Sequence, residues 1–436
     1  MKIPFYDKNS ELMDRELLER MQLDKIRLLV NRALQTPFYK KILTDAGLEK
    51  GDDIRDFNDF RKIPFTTKDD LRKAFPYGML AVRKRDIIRL HASSGTTGIP
   101  TVIYHSRNDI DNWTDLTARS LAATGCTKND VLQNMMSYGL FTGGLGVHYA
   151  AEQLGMLVIP ASAGNTQKQL RLMKDFGTTV VHATPSYLLH IFSRLDELEL
   201  KLADLNLKKA LLGAEPHSED TRKRIESLFC IEAYNSYGLS EMNGPGVAFE
   251  CIFKKGMHLW EDAFYMEIIN PDTLEPAGEG EPGELVLSTL NREGTPVLRY
   301  RTRDLTFVIP GVCDCGRVHR RIGRIIGRTD DMLIINGVNV FPSQVEEVIM
   351  RMPEIGTNYQ IVLEKEGSLD RLIIRTEVLQ EFFNDSTGEL NQLCNRIAEN
   401  LKASILISPK VELHEPGVLP VYEGKAVRVI DNREKI

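Results

Sequence analysis

Short apolar runs alternate with helix-like segments through the middle of this chain, and this alternation restricts its fold more than any other feature. The runs at 131–136, 155–161, 178–183 and 208–215 have the length of strands, and the segment QKQLRLMKDF at 167–176 is typical of a helix. Strands separated by helices need crossover connections, which favour parallel sheets covered by helices. The sequence therefore predicts an α/β fold.

The pattern changes twice after this region. From Phe264, two strand-like runs flank a turn rich in Pro, Gly and Glu, which indicates antiparallel β structure and a β-rich subdomain over 264–326. Near residue 330 a new mixture of strand-like and helical segments begins and continues for roughly one hundred residues, the size of a small domain. We therefore predict a large N-terminal domain of helix-covered sheets (1–329) and a small α+β C-terminal domain (330–436).

Three helices can be predicted in more detail. Apolar residues recur at helical spacing from about Ser10 to Leu34. Thr67 stands three residues before Asp70, and Ser343 stands three residues before Glu346, the spacing of a capping box at a helix start.

Composition excludes several classes of function. The chain has 436 residues, 42% of them hydrophobic and 27% charged, as expected of a globular protein with more than one domain. Its net charge of −6 argues against a nucleic-acid partner, because phosphate contacts require a basic surface. Acidic residues replace the apolar core of a signal peptide near the N-terminus, and no apolar run is long enough for a membrane span. We expect a cytoplasmic enzyme without a membrane partner.

The stretch SSGTTG at 93–98 combines hydroxyl groups with backbone N–H groups that a small side chain leaves accessible. A flexible polar turn is one interpretation of such a sequence. A P-loop is excluded because no Gly-Lys-Ser/Thr follows, and the glycine spacing is wrong for a dinucleotide fingerprint. A general anion-binding loop is the functional alternative.

Five further motifs follow in order along the chain: GAEP (213–216), YNSYGLSE (234–241), YRTRD (300–304), GRTDD (327–331) and EGKAVR (423–428). Together with SSGTTG, this series resembles the motifs of the AMP-forming acyl-adenylate enzymes over essentially the whole chain. The segments 137–169 and 237–247 resemble the phenylacetate–coenzyme A ligase family in particular. The resemblance implies that a carboxylate attacks the α-phosphate of ATP to give acyl-AMP and pyrophosphate, after which coenzyme A displaces AMP.

The resemblance also implies where ATP and Mg²⁺ bind. Glu241 would hold Mg²⁺, Asp304 would accept hydrogen bonds from the ribose, and Tyr237 would stack on the adenine. One departure is Thr101, where many relatives have a lysine that contacts the phosphates. The full set of nucleotide-binding residues implied is Ser93, Ser94, Gly95, Thr96, Thr97, Gly98, Gly213, Ala214, Glu215, Asn235, Tyr237, Gly238, Asp304 and Arg328.

Lys425, in the last motif, would be the catalytic cation of the first step, together with Glu241. An ammonium group near the carboxylate and the α-phosphate stabilises the negative charge that develops during transfer. Since an isolated lysine is usually just exposed, only its place in the motif supports this role. Asp330 would be the hinge across which a mobile C-terminal domain rotates between the two half-reactions.

The acid is expected to be aromatic, as in the resembled family. The residues implied for its pocket are Tyr138, Phe141, Gly143, Gly144, Ser236 and Pro245. Core packing is an alternative for Tyr138 and Phe141. Ser236 replaces an apolar residue of the relatives, so its hydroxyl could suit a ring that carries a polar group.

Four residues could form a metal site of another kind. Cys251 and His258 are seven residues apart, and Cys313 and Cys315 form a Cys-x-Cys pair. Three thiols and one imidazole suit a tetrahedral structural Zn²⁺, although the spacing differs from common zinc fingers. A redox pair or four unrelated buried residues are the alternatives. The other cysteines, at positions 126, 230 and 394, are expected to be small buried side chains.

Two other functions stay open at this point. A non-catalytic adenylate-binding protein could use the same fold, but such a protein is expected to lose Lys425 or Glu241, which are both present. An adenylating enzyme could instead act on another aryl acid or pass the acyl group to an acceptor other than coenzyme A. The resemblance also suggests a homodimer.

Overall fold

The computed structural model describes residues 3–93, 99–195, 200–367, 369–383, 387–420, 422 and 426–433. Within these ranges the α-helices are α1 (Lys8–Glu11), α2 (Arg15–Ala33), α3 (Pro37–Asp45), α4 (Phe57–Arg61), α5 (Lys68–Lys73), α6 (Arg107–Ala123), α7 (Gly143–Gln153), α8 (Thr166–Asp175), α9 (Pro185–Ser193), α10 (Glu219–Phe229), α11 (Pro342–Arg351) and α12 (Thr387–Ile405). Among the described helices, none has both the length and the apolar character needed to cross a bilayer.

The strands of the same ranges, in chain order, form sheets of different sizes. They are β1 (Ile87–Ser93), β2 (Thr101–Ser106), β3 (Val131–Asn134), β4 (Leu157–Ile159), β5 (Val180–Ala183), β6 (Lys209–Leu212), β7 (Glu232–Leu239), β8 (Gly244–Glu250), β9 (Met257–Leu259), β10 (Phe264–Ile269), β11 (Gly283–Thr289), β12 (Tyr300–Thr306), β13 (Val308–Ile309), β14 (Arg321–Ile322), β15 (Gly327–Arg328), β16 (Leu333–Ile335), β17 (Val338–Val340), β18 (Ile355–Glu366), β19 (Leu369–Val378), β20 (Lys410–His414) and β21 (Val429–Asp431).

The largest sheet confirms the predicted α/β fold class. Its order among the described strands is β13-β14-β9-β8-β7-β6-β5-β3-β4. The predicted runs became β3, β4, β5 and β6, which pair in parallel with one another and with β7. From β7 onward the pairing is antiparallel, through β8, β9, β14 and β13. The parallel half was visible in the sequence because crossover helices separate its strands.

The segment 264–326, expected as one β-rich subdomain, is shared between two sheets. Strands β10, β11 and β12 pair antiparallel and continue into β15, forming a four-stranded sheet. Strands β13 and β14 instead extend the largest sheet. The chain therefore crosses between two sheets inside a segment that looked uniform, because both sheets use short antiparallel strands.

The C-terminal residues form a sheet and a core of their own. The sheet order is β20-β19-β18-β21, with α11 and α12 packed against it. Its apolar cluster includes Val345, Ile349, Ile361, Ile374 and Ile397, all fully buried. The predicted division at residue 329 falls between β15 and β16, in a stretch that connects this sheet to the rest of the molecule.

The three helix predictions had different outcomes. The first helix is interrupted, because Asp14 accepts hydrogen bonds from the N–H groups of Glu16 and Leu17 at 2.9 and 3.3 Å and so starts α2 separately from α1. The prediction of Thr67 and Asp70 as a capping box is confirmed, with Oδ2 of Asp70 accepting from Thr67 N–H at 2.9 Å.

The pair Ser343 and Glu346 is not a helix start, and that prediction is wrong. Helix α11 begins at Pro342, and the Phe341 N–H group donates to the Gln344 side chain at 2.9 Å. Proline at the first position needs no hydrogen-bond acceptor, so the helix starts there and its cap is Phe341, two residues before Ser343. Ser343 and Glu346 make contacts outside their own helix.

Candidate active site

A cavity of about 150 Å³ opens where β6 and β7 end, beside β12 and β15. The carboxyl ends of parallel strands are where α/β proteins bind ligands, because loops from neighbouring strands meet there. Its lining consists of Ala214, Glu215, Pro216, His217, Asn235, Ser236, Tyr237, Gly238, Leu239, Met257, Asp304, Ile325 and Arg328. Seven residues implied by the nucleotide motifs therefore lie together, although they come from four separate parts of the sequence.

The backbone of this cavity is tightly constrained. Ala214 has a φ of 68°, in the left-handed region that an L-residue seldom adopts. Gly238 passes so close to the neighbouring strand that a Cβ would lie 1.6 Å from the carbonyl oxygen of Gly244. Gly213 precedes the lining residues and faces the hydroxyl of Ser236 instead. These constraints explain why the motifs contain small residues at these positions.

Asp304 is the acidic centre of the cavity. The Tyr237 hydroxyl donates to its Oδ2 at 2.6 Å, and Nη1 of Arg328 lies 2.9 Å from its Oδ1. Arg328 also pairs with Asp330, with Nε 2.9 Å from Oδ1, so Asp330 lies beside the cavity without lining it. Burial raises the pKa of Asp304 to about 6, although Arg328 and Tyr237 oppose the shift. A carboxylate acceptor is thus held at the edge of the cavity, as a ribose-binding group requires.

Glu215 lies at the other side of the lining. Its Oε1 accepts from the Ser186 N–H at 2.6 Å, and its Oε2 accepts from the Ala426 N–H at 3.3 Å. Burial raises the pKa of this carboxyl, and the two N–H groups limit the increase. Glu215 therefore connects the cavity to the segment that follows Lys425 in the sequence.

Glu241 lies at the end of the site that contains Ser93 and Thr101. The Thr101 hydroxyl donates to its Oε1 at 3.4 Å, and the Ser93 and Thr101 hydroxyls are hydrogen-bonded to each other. Nζ of Lys68, at the start of α5, lies 3.9 Å from the same carboxylate oxygen. Nη1 of Arg292 holds the Glu241 carbonyl oxygen at 2.8 Å. A buried carboxylate next to hydroxyls and a cation is a suitable environment for Mg²⁺ and phosphate oxygens.

Some of the predicted nucleotide-binding and catalytic residues are not among those that the structure describes. Ser94, Gly95, Thr96, Thr97, Gly98 and Lys425 lie outside the described residues. Their proposed roles rest on the sequence resemblance. Ser93 and Ala426, which flank them, are described and lie at the site.

A smaller cavity of about 40 Å³ adjoins the first and shares Ala214, Ser236, Gly238 and Leu239 with it. Its remaining lining residues are Met136, Phe141, Thr142, Gly143, His182, Ser240, Gly244 and Pro245. Four of the six residues implied for the acid pocket therefore line it: Phe141, Gly143, Ser236 and Pro245. Because the two cavities share a wall, an acid in one would lie next to a nucleotide in the other.

Tyr138 and Gly144 are not brought to this lining. The Tyr138 hydroxyl accepts from Nδ2 of Asn134 at 3.1 Å and lies 3.2 Å from Nδ1 of His148, so the ring packs behind the pocket. Gly144 uses its carbonyl oxygen to accept from Asn134 at 2.7 Å. The Ser236 hydroxyl donates to the Leu212 carbonyl at 2.9 Å and is therefore already hydrogen-bonded.

Sequence reasoning missed three residues of the two cavities and their surroundings. His182 is the residue before the last one of β5. It donates to Asn134 at 3.1 Å, and burial lowers its pKa to about 3, so its ring is neutral. Its place at the carboxyl end of a predicted parallel strand was an available signal. His217 lines the larger cavity directly after GAEP. Lys68 carried no sequence signal, because an exposed lysine in the first turn of a helix is common.

The four residues of the expected zinc site do meet. Cys251 follows β8, His258 is in β9, and Cys313 and Cys315 lie between β13 and β14, at the antiparallel end of the largest sheet. All four are buried, and their potential ligand atoms lie within 4.8 Å of one another. Sγ of Cys251 is 3.8 Å from Sγ of Cys313, and Sγ of Cys315 is 3.3 Å from Nε2 of His258. The His258 Nδ1–H donates to the His319 carbonyl at 3.1 Å, which leaves Nε2 free for a metal.

The other cysteines differ in environment. Cys126 is buried, as expected, but Cys394 is half-buried and Cys230 is exposed. The expectation that Cys230 is buried is wrong, because it ends α10 in a left-handed conformation with φ of 54°. All six cysteines lie in the described residues as free thiols.

Known families and proteins match almost the whole chain. Residues 9–291 match the family model described as AMP-binding enzyme, and residues 337–433 match the one described as AMP-binding enzyme C-terminal domain. The chain is 44% identical to the phenylacetate–coenzyme A ligase of Thermus thermophilus, over 98% of this chain and 100% of that protein. It is 43% identical to the phenylacetate–coenzyme A ligase of Pseudomonas putida, over 98% and 99% of the two chains.

Solved structures give a more detailed comparison. A 2-hydroxyisobutyryl-CoA ligase in its postadenylation state, in complex with R3-HIB-AMP, has a TM-score of 0.92 at 25% identity. That alignment covers 98% of this chain and 92% of the other. The same ligase with 2-HIB-AMP and CoA in its thioesterification state has a TM-score of 0.73 at 26% identity, over 99% and 93% of the chains. The present structure as a whole therefore superposes more closely on the postadenylation state of that ligase than on its thioesterification state.

Proposed function

This chain belongs to the phenylacetate–coenzyme A ligases of the AMP-binding enzyme family, and from that premise we propose that it ligates phenylacetate to coenzyme A with ATP. The first half-reaction joins the carboxylate to the α-phosphate and releases pyrophosphate. In the second, the thiol of coenzyme A attacks the acyl carbon, AMP leaves, and the thiol loses its proton. The observation that carries the proposal is the 44% identity over the full length of a named ligase. The two adjoining cavities provide places for the nucleotide and the acid.

The larger cavity is proposed as the nucleotide site. Asp304 accepts hydrogen bonds from the ribose hydroxyls, since its carboxylate is fixed by Tyr237 and Arg328 at the cavity edge. The ring of Tyr237 forms a flat wall on which an adenine can stack. Gly238 allows the base to approach the backbone closely, because no side chain intervenes.

The phosphates are proposed to extend towards Glu241. This carboxylate would hold Mg²⁺, which takes oxygen ligands and neutralises charge on the phosphates when it is bound. Lys68 adds a positive charge near the same place, which compensates for the lysine that Thr101 replaces. Lys425 is proposed to contact the reacting carboxylate and the α-phosphate, and the N–H groups of residues 93–98 to bind the other phosphates.

The smaller cavity is proposed as the aryl pocket. Phe141, Met136 and Pro245 give it apolar walls, and a neutral His182 adds no net charge beside a ring. Such a pocket favours arylacetates over acetate, because a buried ring gains more apolar contact than a methyl group. The Ser236 hydroxyl already donates its hydrogen bond to the Leu212 carbonyl. It is therefore not available to donate to a polar group on the ring, which favours phenylacetate itself over hydroxylated rings.

The Cys251, His258, Cys313 and Cys315 cluster is proposed as a structural zinc site. In a tetrahedral site with Zn–S bonds of about 2.3 Å, two sulfur atoms lie about 3.8 Å apart. The distance between Cys251 and Cys313 agrees with that value. Four protein ligands leave no position for a substrate, so the metal would stabilise the fold without taking part in the reaction.

Four features remain proposals on the strength of the sequence. They are the division into domains 1–329 and 330–436, the hinge at Asp330, the homodimer and the cytoplasmic location. Rotation of the C-terminal domain between the half-reactions is proposed with them. A related ligase has been solved in states that superpose on this chain to different degrees, which supports the proposal that the C-terminal domain rotates.

The decisive experiment is a panel of carboxylic acids assayed for ATP-dependent pyrophosphate release, with and without coenzyme A. We expect phenylacetate to give the highest kcat/KM, and to be converted to its thioester only when coenzyme A is present. Acetate and long fatty acids are expected to be poor substrates. Pyrophosphate release without thioester formation would point to another acceptor. No acid-dependent release from any substrate would instead favour a non-catalytic adenylate-binding protein.

A further inference from the structure

Ser343 and Glu346, at the start of α11, both reach across to the large domain. The Ser343 hydroxyl donates to the Ile326 carbonyl, and Glu346 contacts the start of α10. Since Gln344 already caps α11, neither side chain is needed for its own helix. A residue pair that looks like a local helix signal in the sequence is therefore used between domains.

Glu346 joins three groups through one carboxylate. Its Oε1 accepts from the Ser218 N–H at 3.1 Å and from the Thr221 hydroxyl, both at the start of α10. Its Oε2 accepts from the hydroxyl of Tyr359, on β18 of the C-terminal sheet, at 3.2 Å. A negative charge at the first turn of α10 is also favoured by the helix dipole. The Glu346 carboxylate thus accepts hydrogen bonds from donors in both domains at once.

The segment 213–221 has two working faces. Residues 214–217 line the nucleotide cavity, whereas Ser218 and Thr221 bind Glu346. Oδ2 of Asp220, in the same segment, lies 2.8 Å from Nε of Arg351. Glu215 adds the bond from the Ala426 N–H, next to Lys425 in the sequence. The short segment that lines the larger cavity therefore also contacts the C-terminal domain.

A related ligase has been solved in three states, which are the postadenylation state, the thioesterification state and an open conformation. The TM-score is 0.92 with that ligase in its postadenylation state and 0.73 with it in its thioesterification state. The whole chain of the present structure therefore superposes more closely on the postadenylation state than on the thioesterification state. The Glu346 contacts belong to the arrangement that resembles the first.

We propose that Glu346 is a positioning residue, which holds the C-terminal domain on segment 213–221 for acyl-AMP formation and releases it for thioester formation. This inference rests on the proposed ligase function. Glu346 touches neither cavity, so it acts on the reaction only through the placement of the segment around Ala426. Its contribution is expected in one half-reaction and not in the other, because a rotation of the C-terminal domain away from segment 213–221 would break the contact.

The test measures the two half-reactions separately in Glu346→Ala. Phenylacetate-dependent exchange of pyrophosphate into ATP is expected to fall about tenfold in kcat, since three hydrogen bonds, each worth a factor of a few, lose their acceptor. The KM values for ATP and phenylacetate should stay within about twofold, because no binding residue changes. Thioester formation from supplied phenylacetyl-AMP and coenzyme A should be unchanged or faster. Equal losses in both half-reactions, or no loss in either, would overturn the proposal.

Two further variants separate positioning from folding. Glu346→Gln keeps an oxygen acceptor for α10 and can donate to the Tyr359 hydroxyl, so it should retain at least half of the exchange rate. An exchange rate in Glu346→Gln as low as in Glu346→Ala would count against the hydrogen-bonding role. Thr221→Val removes one partner from the large domain, and its effect should be smaller and less than additive with Glu346→Ala. Full additivity would show that the two residues act separately.

Controls keep this proposal distinct from the ligase function. Glu399→Ala, on the exposed face of α12, should leave both half-reactions unchanged. Absence of phenylacetate-dependent exchange in the unmodified protein would refute the proposed function. Exchange in the unmodified protein, with no difference between half-reactions in the variants, would refute the role of Glu346 alone.

Discussion

The larger cavity, which is proposed as the nucleotide site, and the Cys–His cluster are both polar regions of the large domain, but they are built in opposite ways. The cavity is open, and its central carboxylate, Asp304, is buried although burial disfavours its charge. The cluster is closed, with four buried ligand atoms within 4.8 Å of one another. Each gathers residues from distant parts of the chain. The difference is that one leaves space for a ligand and the other leaves none.

This contrast indicates which substitutions should change activity and which should change the free energy of unfolding. Holding an ionised Asp304 in the cavity lowers the free energy of unfolding at neutral pH, as expected of a carboxylate kept for its proposed role in binding the ribose. A metal bound by four protein ligands raises the free energy of unfolding and does nothing to a substrate. Changes in the cavity should therefore affect turnover or ATP binding, and changes in the cluster should affect unfolding.

The largest effect is expected for Cys313→Ser combined with Cys315→Ser. Loss of two ligands of the proposed zinc should lower the free energy of unfolding by roughly 4 kcal/mol or more, the range for loss of a structural metal. Thermal unfolding measures the change, and elemental analysis of the unmodified protein should find about one zinc per chain. The matched control is Cys230→Ser with Cys394→Ser, two thiols outside the cluster. Zinc-free active protein and an unaltered Tm in the first variant would show that the four residues are unrelated.

The next effect is expected for Lys425→Ala, which removes the proposed catalytic cation. Adenylation should slow on the order of 100-fold, because a charge contact made in the transition state is lost. The Tm should not change, in contrast to the cluster variant, and thioester formation from supplied acyl-AMP should be much less affected. Lys402→Ala, an exposed lysine of α12, is the control. Equal loss in both half-reactions would argue against a role of Lys425 limited to the first step.

A smaller effect, with opposite signs for function and stability, is expected for Asp304→Asn. The KM for ATP should rise about tenfold, as for loss of a hydrogen bond to a charged acceptor, while the KM for the acid stays constant. The Tm at pH 7 should be unchanged or higher, because a buried charge has been removed. Asp314→Asn, in a surface ion pair with Lys255, is the control. An unchanged ATP dependence would remove Asp304 from the ribose site.

The pH dependence of the unmodified protein tests the same residue. The pKa of Asp304 is about 6 in the folded protein and 3.8 as the ordinary value, so the folded state binds this proton more tightly. Its contribution to the free energy of unfolding therefore decreases as pH rises from about 4 to about 6, the reverse of a salt-bridged aspartate. The difference in unfolding free energy between Asp304→Asn and the unmodified protein should grow over that range. A pH-independent difference would contradict the assignment.

Lys68→Ala removes a partly exposed cation beside Glu241, and its effect on ATP binding should be weaker. The side chain is 39% exposed, and solvent screens its attraction to Glu241 and to phosphates. We expect the KM for ATP to rise about threefold, and to do so less at high salt. Lys73→Ala, at the end of the same helix, should have no effect. A change in the KM for phenylacetate alone would place Lys68 elsewhere in the reaction.

The smallest effect is expected for Ser236→Ala, at the wall shared by both cavities. Its hydroxyl already donates to the Leu212 carbonyl, so it offers little to a ring in the pocket. The ratio of kcat/KM for phenylacetate and 4-hydroxyphenylacetate should change by less than about threefold. Thr289→Val, away from both cavities, serves as the control. A change of tenfold or more would mean that the hydroxyl turns towards the ligand.

Much of the site could be predicted because its residues lie in short motifs whose backbone is locally constrained. Ala214 and Gly238 need unusual backbone geometry, and Asp304 lies in a strand beside Arg328. The acid pocket was harder, because Tyr138 and Phe141 look alike in the sequence. Only the packing of Asn134 and His148 around the Tyr138 hydroxyl separates them.

By itself, the sequence determined the α/β fold, the family and seven residues that line the larger cavity, since these depend on periodicity and on contiguous motifs. It also predicted that Cys251, His258, Cys313 and Cys315 meet, because they form two closely spaced pairs. Only the tertiary structure decided that β13 and β14 leave their neighbours for another sheet, that Lys68 stands beside Glu241, and that Glu346 serves the domain contact and not its own helix. The physical reason is the same in each case. Side chains with the same local pattern differ only in what distant elements bring within hydrogen-bond or ion-pair distance.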